Sequence, residues 1–103
     1  MQKKFIRVRV YFCKEPEAEI LAERGKISRQ ALDTIYDLVW EAEFKNIVTP
    51  GKIWLKFQEE LKPFGIPLKQ KRSHEKMSAG DIMQIDTEYY MVMQTGAREI
   101  KLD

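Results

Sequence analysis

One cysteine, one histidine and five isolated glycines are what this chain of 103 residues has least of, and each scarcity removes a class of function. Cys13 alone closes no intramolecular disulfide, so the fold requires no oxidising compartment and the sequence reads as cytoplasmic. A single histidine and a single cysteine do not assemble the four nitrogen or sulfur ligands of a structural zinc site, and no metal is expected. Gly25, Gly51, Gly65, Gly80 and Gly96 are scattered singly, so the glycine-rich turn that cradles a phosphate is missing and no nucleotide cofactor is expected. No apolar run approaches the roughly 18 residues that span a bilayer. The first nine residues interrupt their apolar positions with Lys3, Lys4, Arg7 and Arg9, unlike a signal peptide. A soluble protein without membrane or cofactor is the expectation. Eighteen basic against sixteen acidic side chains leave a net charge of +2, which demands no acidic partner.

What is present suffices for one domain and not two. Phe5 to Phe12 alternates with period two, sending Ile6, Val8, Val10 and Phe12 to one face and Phe5, Arg7, Arg9 and Tyr11 to the other, as a half-buried strand does. Pro16, with Glu15, Glu17 and Glu19 near the positive end, predicts a helix over about 15–24 that Gly25 stops. Residues 28–44 fit two templates. A helix capped by Ser28 would align Ala31, Leu32, Ile35, Val39 and Ala42, whereas a strand would alternate Tyr36, Leu38, Trp40, Ala42 and Phe44 against Asp37, Val39, Glu41 and Glu43. The β-branched and aromatic content of the second half favours a short helix over 28–34 and a strand over 35–44.

Thr49-Pro50 is an N-cap followed by a first-turn proline, and Ile53, Trp54, Phe57 and Leu61 then form the apolar stripe of a helix over 50–62. Pro63 to Lys76 reads as a long loop, of the kind that is either mobile or used for binding. Ile82 to Ile85 and Tyr89 to Met93, apolar on both pleat faces and separated by Asp86-Thr87-Glu88, predict a hairpin central to a sheet. Gly96 leads into a last strand near 98–102. The expected fold class is α+β: a mainly antiparallel sheet, with strands near 4–12, 35–44, 81–86, 89–95 and 98–102, packed by the two longer helices. Strands at both ends of the chain would leave an edge free for a homodimer.

The run Tyr36-Asp37-Leu38-Val39-Trp40-Glu41-Ala42-Glu43-Phe44, the helix with Ile53 to Phe57, then His74, Met77-Ser78-Ala79-Gly80-Asp81-Ile82, Tyr89-Tyr90-Met91-Val92 and Gly96-Ala97-Arg98-Glu99-Ile100 resemble the YodL-type domain carried by plasmid, phage and integrative-element proteins. Order and spacing agree over about residues 36–100, with Ala79 and Ala97 where that family favours a valine and an aromatic. The resemblance implies an accessory protein of a mobile element and no defined chemistry.

Candidate sites follow from residue types. Arg7 and Arg9 beside Phe5 and Tyr11 could meet phosphates and stack on bases. Lys69, Lys71, Arg72 and Lys76 are a second basic group, and the two together would make a nucleic-acid patch; alone they are solvated or edge-protecting charges. His74 near Ser73 or Ser78 could serve a small hydrolase as a base, or be an ordinary loop histidine. Ser78, Gly80 and Asp81 could form a binding turn, or a strand-initiating turn in which Gly80 supplies positive φ and Asp81 or Ser78 bonds local backbone. Glu41 and Glu43 share a strand face and could pair as acid and base, or form a solvated edge. Cys13 beside Lys14 could be reactive or merely buried. Trp40, Trp54, Phe57, Met77, Met83, Met91 and Met93 read as core. The leading expectation is a non-enzymatic module that binds another protein; nucleic-acid binding is the alternative, and hydrolysis at His74 the second.

Overall fold

The computed structural model describes residues 5–14, 26–72, 74, 76–94 and 96–102. In chain order these form β1 (Ile6–Cys13), β2 (Lys26–Ile27), α1 (Arg29–Thr34), β3 (Tyr36–Phe44), α2 (Pro50–Glu59), a 3-10 turn (Pro63–Gly65), β4 (Ile82–Ile85), β5 (Glu88–Met93) and β6 (Gly96–Leu102). The helix expected over 15–24 lies outside the described residues. One sheet runs in the order β2-β6-β5-β4-β1-β3. All neighbours are antiparallel except β2, which pairs in parallel with β6 through Lys26–Lys101 and Ile27–Leu102. The α+β reading and its five strands hold; the two-residue β2 is additional, too short to leave a periodicity.

Local chemistry accounts for the elements. Ser28 Oγ accepts the Ala31 amide at 3.0 Å and starts α1, and Thr49 Oγ1 accepts the Lys52 amide at 3.2 Å ahead of Pro50. The second helix ends at Glu59, three residues short of the expected stop, because Glu60 turns to extended backbone and its carboxylate accepts the Phe64 amide. Leu61 therefore leaves the apolar stripe and is 90% exposed rather than buried. Phe64, at φ 55, and Gly65, at φ 79, close the 3-10 turn inside what reads as loop. The central hairpin pairs Ile85 with Glu88, and Asp86 takes the left-handed φ of 58 that the two-residue connection needs.

The strand alternation of β1 is as expected, with Val8, Val10 and Phe12 buried on one face. In β3 a bulge intervenes: Val10 pairs with Trp40 but Tyr11 with Leu38, which leaves Val39 as an extra residue. The parity of β3 flips there, so Trp40, Ala42 and Phe44 join one core and Tyr36 the other. This flip is why both a helical and a strand template fitted the segment.

The sheet divides two cores. One face packs Val8, Val10, Phe12, Trp40, Met83 and Val92 beneath Ile53 and Phe57 of α2, with Met77 from the connection before β4. The other packs Cys13, Ile82, Met91 and Ile100 with Ile27 and Leu32. Of the terminal strands, β1 is interior, whereas β2 pairs with β6 only at Lys101 and Leu102, so among the described residues 96–100 of β6 have no strand neighbour on their outer side. The outer side of β3 is met by the connection after the 3-10 turn, where the Lys69 amide donates to Val39 O at 2.7 Å and Trp40 Nε1 to Ile66 O at 3.0 Å.

Candidate functional site

The basic strand face is charge-paired. Arg9 stands opposite Glu41 and Arg7 opposite Glu43. Arg9 Nε lies 2.6 Å from Glu41 Oε2 and Arg7 Nη2 3.3 Å from Glu43 Oε2. The Arg9–Glu41 hydrogen bond holds the Glu41 carboxyl below its ordinary range and raises the Arg9 guanidinium. Tyr11 donates its hydroxyl to Gln84 Oε1 at 3.0 Å, and Gln84 Nε2 donates to Asp86 O. The guanidinium groups are thus engaged by carboxylates, and Glu41 and Glu43 each face an arginine instead of each other.

The second basic group divides. Lys69 lies close enough to lower the Glu41 carboxyl, so it joins the Arg9 pair. Arg72 bonds Lys69 O through Nη1, and with Lys76 it lines a groove of about 360 Å³ against Phe57, Glu59, Glu60 and Leu61. Lys71 is exposed. Lys69 thus brings the start of the second group to the Arg9–Glu41 pair, and acidic side chains accompany both halves.

His74 and the turn at 78–81 meet at the end of β1. The Asp81 carboxylate is fully buried. Its Oδ1 accepts the Cys13 amide at 2.8 Å and its Oδ2 the Ser78 amide at 2.7 Å, while His74 Nε2 lies 3.2 Å from Oδ1. Burial pushes this carboxyl up to about 6 against those bonds. The turn closes through Asp81 N to Ser78 O at 3.1 Å, with Gly80 at φ 99. Tyr36 donates to Gly80 O at 2.7 Å, and burial raises its hydroxyl far above the ordinary tyrosine value. The His74 ring stacks on Phe12, centroids 4.4 Å apart, and its Nδ1 lies 2.7 Å from Lys76 O. Both ring nitrogens are occupied, so neither is left to take a proton from a nucleophile. Ser73 lies outside the described residues. Among the described residues no group of three or more His, Cys, Asp or Glu is placed to hold a metal.

A groove of about 320 Å³ at the far end of the sheet escaped the sequence reading. Ile6, Ile47, Val48, Pro50, Ile85 and Tyr90 supply its apolar lining, and among the described residues its charged lining is Asp86 and Glu88. Ile47 is 87% exposed beside it. The one available signal was a pair of β-branched residues in the short connection between β3 and α2, of which Val48 alone is buried.

No family model matches the chain, and neither curated proteins nor solved structures give a match. Among the described residues no helix is long and apolar enough to cross a membrane.

Proposed function

We propose that this protein is a binding module that takes a segment of another protein in the groove beside Ile47. The observation that carries the reading is that a large apolar side chain, 87% exposed, borders an apolar cleft whose charged lining among the described residues is acidic, Asp86 and Glu88. Such a cleft suits an apolar side chain flanked by lysine or arginine, which would meet Asp86 and Glu88. The likeness to YodL-type domains adds a setting to the proposal, that of a mobile-element accessory protein. Nucleic-acid binding is the weaker reading, because Arg7 and Arg9 already face carboxylates and few phosphate contacts remain to them. Hydrolysis at His74 is weaker still, since both ring nitrogens are engaged.

The test compares wild type with Ile47→Asp and Glu88→Lys as immobilised baits in lysate of the encoding organism, with quantified capture. A partner retained by wild type and reduced about tenfold or more by both variants supports the groove, a loss of the size one interface anchor carries. Equal capture by all three overturns it. So does a low-salt mobility shift with DNA or RNA that weakens steeply as salt is raised.

A further inference from the structure

We infer that His74 and Asp81 form a proton-operated latch, which fastens the connection before β4 to the end of β1 and opens as the pH rises. The inference follows from counting donors and acceptors. Lys76 O is a carbonyl and only accepts, so the 2.7 Å contact requires the proton of a neutral imidazole to sit on Nδ1. Nε2 then faces Asp81 Oδ1 at 3.2 Å. That contact is a hydrogen bond only while a proton lies between the two atoms, carried by either partner. Without it, an imidazole lone pair faces a carboxylate oxygen in a buried setting, and the contact turns repulsive.

Among the described residues the groups around Asp81 are these. From β1 the carboxylate receives the Cys13 amide, and from its own turn the Ser78 amide. Neither donor titrates. The Cys13 thiol is buried at the same strand end. Tyr36 on β3 commits its hydroxyl to Gly80 O and is kept neutral by burial. Lys14, the residue after β1, pairs with Asp37 at 3.5 Å. From α2 the contribution is the neutral Gln58 amide, donated to Met77 O at 3.3 Å. Phe12 contributes only its ring. His74 keeps 29% of its side-chain surface exposed, so protons reach it from water.

Both ends of the connection have their own fastenings: Lys69 and Trp40 hold the start against β3, while buried Met77 holds the end. Opening the latch therefore releases the middle, lifts the imidazole from Phe12 and bares that ring at the end of β1. The groove beside Ile47 has none of these residues in its lining, so the latch stands independently of the binding proposal.

As the only histidine, His74 gives a single set of imidazole signals for NMR on the full chain. The experiment follows its ring carbon and nitrogen shifts from pH 4.5 to pH 9.5, together with the nuclear Overhauser contact between its ring and that of Phe12. The expected result is a contact present on the protonated side and lost across the imidazole–carboxylate transition, with Nδ1 protonated throughout. A Phe12–His74 contact that survives above the transition in wild type overturns the latch. The readout uses wild type alone and needs no substitution.

Discussion

Asp81 shows how far one side chain can act when it is buried. Its carboxylate accepts two backbone amides, the buried one of Cys13 and that of exposed Ser78. A buried unsatisfied donor costs about 1–3 kcal/mol, so Asp81→Ala should lose about that much through the Cys13 amide, read as a lowered urea midpoint. The same burial sets a pH dependence. The carboxyl rises from an ordinary 3.8 to about 6 in the folded protein, so between those values the native state binds more protons than the unfolded chain. The contribution of Asp81 to stability is therefore full below pH 3.8 and declines as pH rises through about 6. Urea midpoints of wild type relative to Asp81→Asn should fall across that interval; a difference that grew with pH would refute the assignment. Asp81 was visible in the sequence as part of a turn, but its depth and its histidine were not. Residues 74 and 81 share no periodic element, and their meeting depends on where the intervening chain is fastened.

At the scale of elements, β3 is the instructive case. Its composition favoured a strand, and Tyr36–Phe44 is one. Its helical alternative survived in the sequence because the bulge at Val39 breaks strict alternation. Deleting Val39 would restore an unbroken ladder with the same pairs, so Tyr36 and Leu38 would keep their face and the loss would be one fully buried valine. The deletion should keep the near-ultraviolet circular dichroism of a packed core and unfold cooperatively at a lower urea midpoint, whereas removing the exposed Leu61 side chain by Leu61→Ala should change stability by under about 0.5 kcal/mol. Thr49-Pro50 predicted the start of α2 because a cap and a fixed φ act locally. Its end depended on Glu60 reaching the Phe64 amide, a contact made only after the chain reverses.

For the whole molecule, the strand order ranks local stability. The strands β1, β4 and β5 are paired on both sides, with β6 and the short β2 beyond them. Native-state amide exchange should be slowest at Val8, Val10 and Met91 and much faster at Ile27, since opening β2 breaks little else. An Ile27 amide as protected as that of Val10 would mean the sheet does not open from that edge. Alternation in β1, the hairpin around Asp86, the helix caps and the α+β class were determined by the sequence itself, because each rests on neighbours within a few residues. The charge pairing of Arg7 and Arg9, the fastening of His74 to Asp81 and the acidic-rimmed groove beside Ile47 were decided only by the tertiary structure. Each joins residues far apart in the chain, and hydrogen-bond and ion-pair energies depend on distances that no local pattern encodes.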